Sequence, residues 1–546
     1  MNIYKTLLLY LLMSAFVGST YAADHLNTDS VWYDPITGTR THLQRVDSIT
    51  PYTCSLHFFG KKEDGSCKLP GIQALIEDLC INGLVLGWDR YIQDREWARV
   101  TSKDLHRNLH DGWVWDSDSF SGNQFSHPFH GSMFYNAARE HGLSYGVSLL
   151  YPVLGSTTWE LFCETNRPAV NDLLSTGVGG AALGEVTHRV SDIFFDNTKR
   201  GPQRVIREVV GTMLNPVRGL HRIMSGEMFR VNRFNPGKKE TPMPYSFQIG
   251  VGDRYIYDDG PTHPSVGMRY FEHVPFIDFT FCYGSHFNHL DQGKKPRAYD
   301  YFNLYALMNF SADNPTVGEL DIRGRIGTLQ YQLPHQWKLD IGFYQNVKYI
   351  DHFNKDGVQL AGNLPIISEA ASFGAGFYAE RQDIRPFFGR WGKSGGGITL
   401  THDYMLNAVP LGGATADYFP LRRYNFGTGF STRYRFMFTW NSHISFGNDF
   451  YFMRLFILKG TAPELIRKYK EDPEFYRQDL ENGTVAWGDK GEQSVIQNRS
   501  FLRVNLTKDL RFVAQYEFNL RHGNYREYPS LTGKSHEWKF GLSYAL

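Results

Sequence analysis

Seven polar residues between positions 127 and 188 have the types and spacing to do chemistry. His127 and His130 stand three apart in the run Asn123-Gln124-Phe125-Ser126-His127-Pro128-Phe129-His130-Gly131, just ahead of a helical stretch, and could point to one site. Glu160 and Glu164 are four apart, and Glu185 and His188 three apart, so each pair shares a helix face. Asp172 follows Asn171 in what reads as the first turn of a helix. Two chemistries suit this set. Carboxylates combined with Glu-x-x-His on facing helices match the ligand arithmetic of carboxylate metal sites in bundles. The same residues supply a histidine general base and a carboxylate to orient it. His127, His130, Glu160, Glu164, Asp172, Glu185 and His188 are therefore the catalytic candidates; they specify no particular metal and no cofactor. A structural account competes: Asp172 caps its helix, Glu164 pairs with Arg167, Glu185 pairs with Arg189, and buried polar groups hold helices in register.

The elements that must position these residues follow from periodicity. From Pro70 to about Asn235 the apolar spacing is helical, in segments at 72–91, 131–149, 156–164, 168–195 and 202–224, the last interrupted at Pro216. The segment 168–195 opens with Pro in a first turn and carries Gly177, Gly179, Gly180 and Gly184. Glycine inside a helix costs about 1 kcal/mol each, so these mark a close contact with another backbone.

From Tyr245 onward the period becomes two. Trp538, Phe540, Leu542, Tyr544 and Leu546 alternate with Lys539, Gly541, Ser543 and Ala545, and Tyr245, Phe247, Ile249 and Val251 alternate with Ser246, Gln248 and Gly250. About twelve such strands of roughly 10 residues or more, apolar on one face and polar on the other, describe an outer-membrane barrel with a hydrated interior. Arginines and carboxylates on the inner face suit that lumen. The link at 507–509 reads as a periplasmic turn and the stretch 461–490 as an extracellular loop. A soluble β-sandwich or lipocalin-like barrel would place the apolar face inside instead.

Composition agrees with this address. The 546 residues include 32 Tyr and 40 Phe, and transmembrane barrels concentrate aromatics in two interfacial girdles. A net charge of +1 offers nothing to nucleic acid. Lys5, an apolar run at 7–17 and Thr20-Tyr21-Ala22 or Tyr21-Ala22-Ala23 form an export signal. Five cysteines leave at least one thiol unpaired, with Cys54–Cys67 a disulfide the periplasm would permit. The organisation is a signal peptide (1–23), an irregular arm (24–68), a helical domain (69–235) and a barrel (240–546), an α+β chain in the outer membrane with outer-membrane lipids as partners.

Several runs carry a family resemblance: Leu84-Val85-Leu86-Gly87-Trp88-Asp89-Arg90, Gly112-Trp113-Val114-Trp115-Asp116-Ser117-Asp118, the run from Asn123 to Gly131 quoted above, Trp159-Glu160-Leu161-Phe162, Arg167-Pro168-Ala169-Val170-Asn171-Asp172 and Gly184-Glu185-Val186-Thr187-His188-Arg189. Over about residues 75–225 the chain resembles a family of envelope proteins from Bacteroidota and related bacteria, domain of unknown function 3943. That resemblance implies a cell-envelope setting and names no reaction. The functional expectation is a binding or structural outer-membrane protein whose helical domain is periplasmic or plugs the lumen. Its rivals are an envelope enzyme acting on lipid or glycan and a transport channel.

Overall fold

The computed structural model describes residues 31–34, 39–42, 56, 58–63, 66–115, 120, 122–231, 243–258, 270–287, 296–311, 314, 316–351, 366–384, 397–418, 424–481 and 487–545. The export signal, most of the arm and Cys54 lie outside them. Cys67 is disulfide-bonded, whereas Cys80, Cys163 and Cys282 are free thiols.

The chain forms two compact units. The helical unit contains α1 (Pro70–Tyr91), α2 (Ser102–His110), α3 (His127–Glu140), α4 (Tyr145–Ser148), α5 (Leu150–Phe162), α6 (Val170–Leu174), α7 (Gly180–Phe194), α8 (Gly201–Leu214) and α9 (Pro216–Met224). Proline stands in the first turn of α1, α3, α8 and α9, where its missing N–H costs no helical hydrogen bond. Helix α2 was not legible as a period; it is set by a capping box, with the Thr101 N–H donating to Asp104 Oδ2 at 3.0 Å.

Three expected segments differ in detail. The stretch 131–149 is not continuous: α3 ends at Glu140, and Gly142 at φ +86° turns the chain before α4. Helix α5 begins at Leu150, earlier than expected, because Pro152 falls in its first turn. The segment 168–195 starts at Val170, since Ala169 pairs with Val114 in a parallel bridge; α6 then runs into α7 through a π-helical turn at Ser175–Gly179.

Helix α3 is central, with every residue from Phe134 to Glu140 buried. The glycines do allow close approach. A Cβ on Gly131 would collide with the Thr176 carbonyl, and one on Gly180 with the Gly131 backbone.

The second unit holds a hairpin, β1 (Val31–Asp34) and β2 (Thr39–His42), and a closed barrel. The barrel strands are β3 (Tyr245–Asp258), β4 (Tyr270–Tyr283), β5 (Phe302–Asn309), β6 (Val317–Gln332), β7 (Trp337–Ile350), β8 (Ile367–Ile384), β9 (Ile398–Thr415), β10 (Tyr424–Trp440), β11 (Ile444–Ile457), β12 (Gly491–Asn505), β13 (Leu510–Tyr525) and β14 (Leu531–Ala545). Each pairs antiparallel with its sequence neighbours, and β14 closes on β3 with Leu542 opposite Val251. No edge strand is left to find a partner in lipid, which is why sheets cross bilayers only when closed.

Strand β10 runs on to Trp440. Asn441 and Ser442 take positive φ and make a tight turn between β10 and β11. The longer excursion between β11 and β12, expected as an outer loop, contains two short helices, α10 (Pro463–Glu471) and α11 (Pro473–Glu481).

Polarity decides which side of the barrel meets lipid. Trp538, Phe540, Leu542 and Tyr544 are 40–49% exposed, while Lys539 among them and Glu537 just before them are 5% and 6% exposed. The aromatics face outward and the charges inward, so the soluble alternative does not apply and this is an outer-membrane barrel.

Candidate functional site

The interior of the barrel is an ion-pair lattice. Arg499 on β12 donates to both Glu319 oxygens on β6 at 2.8 Å. Those strands stand six places apart in a ring of twelve, so the pair spans the lumen. Arg433 on β10 joins Asp321 on β6 at 2.8 Å and Asp449 on β11 at 2.6 Å. Arg323 on β6 reaches Asp403 on β9 at 2.6 Å. A cavity of about 130 Å³ remains among these groups.

Helical-unit chemistry is assembled mostly around α3 and α7. The sequence candidates fall into separate groups. His127 Nε2 lies 3.3 Å from Asp172, while Asn171 donates to Asp172 and to Asn123, both at 2.8 Å. His130 packs its ring against Phe134 (centroids 4.6 Å apart) and edge-on to Trp159 (5.0 Å). Its Nε2 is shut off from solvent with no hydrogen-bond partner among the described residues. Burial pushes that imidazole down to about 3, with His127 adding to the effect. Glu160 accepts the Ala169 N–H at 2.8 Å and so caps the start of α6. The Glu164 carbonyl accepts from Asn108 at 3.0 Å.

Glu185 and His188 do share a face of α7, the one against α3, but they meet different partners. Glu185 is held between Arg139 Nε at 2.9 Å and Arg189 Nε at 2.8 Å, and accepts from Tyr135 at 2.8 Å. Burial alone would raise its carboxyl; the two guanidinium groups outweigh that and hold it at about 2. His188 Nδ1 lies 3.2 Å from Glu140, which also accepts from Asn215 at 3.2 Å and sits 3.8 Å from Arg218. Burial raises the Glu140 carboxyl and Arg218 and His188 outweigh it, leaving it below the usual carboxylate range.

The arrangement also holds a group that sequence reasoning missed. Glu77 on α1, His141 at the end of α3 and His221 on α9 meet in the interior, with His141 Nε2 at 3.0 Å and His221 Nε2 at 2.7 Å from the two carboxylate oxygens. All three are buried, and their ligand-capable atoms lie within 4.8 Å of one another. Burial opposes ionisation of Glu77, but hydrogen bonds from both imidazoles bring its carboxyl down to about 2. Burial lowers the His221 imidazole, but Glu77 outweighs it and the net shift is upward. Next to Glu77, Asp78 is pushed well up by burial and by the Glu77 charge. No local signal marks these residues, which come from helices far apart in the chain; the Glu140-His141 dipeptide at a helix end is the nearest to one.

The outer faces of α1, α5 and α8 in the helical unit are apolar. Leu79, Leu84, Trp88 and Tyr91 on α1 are at least half exposed, as are Leu150 on α5 and Val205 on α8. The same helices bury Glu77, Asp78, Asn82, Ser156, Glu160, Arg204 and Glu208. Among the described residues no helix is long and apolar enough to cross a membrane.

Fold and surface define an outer-membrane β-barrel protein with an added helical domain. Within that domain, residues 112–217 match the family model described as "Domain of unknown function (DUF3943)". The match takes in Glu140, His141, Glu185 and His188 but neither Glu77 nor His221. No curated protein matches the chain. Among solved structures, it is similar to the NanC porin (9% identity, 54% of this chain and 98% of that one, TM-score 0.24). It is also similar to a loop-deletion mutant of OmpT, an outer membrane protein of Vibrio cholerae (6% identity, 55% and 99%, TM-score 0.18). A third is the outer membrane protein Omp33 of Acinetobacter baumannii (8% identity, 55% and 99%, TM-score 0.20). These likenesses are too distant to carry an argument, and the membrane placement rests on this chain's own closed sheet and lipid-facing surface.

Proposed function

We propose that this chain is a lipid-associated binding protein of the outer membrane, with the barrel as anchor and the helical domain as the binding part. The observation that carries the reading is the reversed polarity of the helical domain. Along α1, α5 and α8 most charged and polar side chains are buried, while leucines, valines and aromatics such as Leu84, Trp88, Leu150 and Val205 are exposed. Exposed apolar area of this extent is costly in water, at roughly 25 cal/mol per Å², and marks a membrane or partner contact. In a chain already held in a bilayer by its barrel, acyl chains are the apolar phase at hand. Full-length protein in vesicles containing brominated lipid tests this. Trp88 is expected to be quenched, so the Trp88→Phe variant should lose a measurable share of the quenching. Equal quenching in the two proteins would refute lipid contact at α1.

Conduction is not part of this reading, because charged pairs cross the lumen from wall to wall. Reconstitution in planar bilayers should give no steady pore conductance; a stable open channel would overturn it. One observation favours a second reading, an enzyme acting on envelope lipid or glycan. His127 with Asp172 and His188 with Glu140 are histidine–carboxylate pairs of the kind used for general base chemistry. His127→Ala and His188→Ala variants that leave lipid or glycan composition unchanged in cells would remove that reading's basis.

A further inference from the structure

We infer that Glu77, His141 and His221 form a binding site for a borderline divalent cation of the zinc class. The inference is independent of the lipid reading above. Two imidazoles each present Nε2 to a different oxygen of one carboxylate, at 3.0 and 2.7 Å. The three side chains come from α1, the end of α3 and α9, and are 7%, 3% and 0% exposed. A tetrahedral cation bound at about 2.0–2.1 Å holds its ligand atoms about 3.4 Å apart. The two nitrogen–oxygen contacts are a few tenths of an ångström shorter than that and all three ligand atoms already lie within 4.8 Å of one another, so small side-chain shifts would let a cation replace the two Nε2 protons.

Ligand type selects the metal. Two imidazole nitrogens with one carboxylate suit zinc, whereas calcium and magnesium prefer sets made of oxygen. Three protein ligands leave a fourth position for water, as in zinc sites that do chemistry rather than those that only hold a fold. One nearby group fits a missing positive charge. Neither oxygen of buried Asp78 has a hydrogen-bond partner among the described residues. Burying a polar group with no hydrogen-bond partner is costly whether or not it is charged, and a divalent ion beside Glu77 lowers that cost for the Asp78 carboxyl. The competing account needs no metal: two N–H donors clamp Glu77 and so dock α3 and α9 on α1.

The experiment must separate this site from an adventitious one. His106 and His110 are exposed, one turn apart on α2, with rings stacked at 4.2 Å. They offer a surface zinc pair. Full-length protein in detergent is stripped with chelator and titrated with Zn²⁺ and Co²⁺. The expected result for His106→Asn/His110→Asn is retention of about one tightly bound Zn²⁺ per chain, a tetrahedral Co²⁺ visible spectrum and a thermal midpoint that rises with Zn²⁺. His221→Asn and Glu77→Gln in that background should weaken binding by more than about 100-fold, beyond the usual effect of losing an outer-shell partner. If those variants fail to fold, the metal-dependent midpoint of the surface-pair variant decides alone. Binding that disappears with His106 and His110, or a midpoint indifferent to Zn²⁺, overturns the proposal in favour of the hydrogen-bonded clamp.

Discussion

Replacing Arg499 by alanine removes a side chain that ties strands six places apart in the barrel ring. Its guanidinium makes two 2.8 Å hydrogen bonds to Glu319 and a further ion pair with Glu517. Breaking a buried pair by deleting one partner costs about 3–5 kcal/mol, because the other charge is left uncompensated. Some compensation survives here. Lys348 stays 3.5 Å from Glu319, and Gln497 and Asn519 donate to Glu517 at 2.8 and 2.9 Å. The expected loss for Arg499→Ala is therefore at the low end, about 3 kcal/mol. Glu319→Ala leaves Arg499 with Glu517 and should cost less, about 1–2 kcal/mol. The double variant should fall short of the sum by about 1 kcal/mol or more, since both changes delete the same contact. Equilibrium urea unfolding of the full chain in vesicles, followed by tryptophan fluorescence and heat-dependent gel mobility, reads all three. An Arg499→Ala midpoint within about 0.5 kcal/mol of wild type, or strict additivity in the double variant, would refute the claim that this pair braces the lumen.

Other outcomes follow from the helical domain. His130 takes up a proton in the unfolded chain near its ordinary value but only at about 3 when folded. Stability should therefore fall as pH drops below about 6.5, and His130→Phe should lose less by about 2–3 kcal/mol at pH 4 in thermal melts. A matching pH profile in the two proteins would show the ring is not held neutral. Glu185 has the opposite linkage: its contribution is complete above the unfolded value of about 4.5 and is lost as pH falls through about 2. Glu185→Gln should cost about 3 kcal/mol at pH 7, with the gap to wild type narrowing toward pH 2 in urea melts. Gly131→Ala drives a methyl into the Thr176 carbonyl and should destabilise by about 1–3 kcal/mol. Gly83→Ala in open space on α1 should be neutral or stabilising by up to about 1 kcal/mol; equal melting of the two variants would contradict the close crossing.

The barrel was legible in the sequence because strand geometry is local: alternation of Trp538 with Lys539 and Phe540 with Gly541 already separates a lipid face from a lumen face. The number of strands, the short turn at 507–509 and the long connection between β11 and β12 followed from the same period and from turn residues. Helix α1, and the break between α8 and α9 at Pro216, were readable near their true bounds, since proline in a first turn and helical spacing are also local signals. Even the glycines near 180 announced a close backbone contact, though not that Gly131 would be on its other side.

What meets across those elements was decided only in three dimensions. Glu185 and His188 share the face their spacing required, yet one is locked by Arg139 and Arg189 and the other joins Glu140. His127 meets Asp172, whereas His130 is sealed against Trp159 and Phe134. Glu77, His141 and His221 come from three helices with nothing in their spacing to link them, and Arg499 and Glu319 are 180 residues apart. Periodicity reports which way a side chain points from its own helix or strand. It carries no information about which other element packs there, because that depends on the crossing of helices and the closure of the sheet.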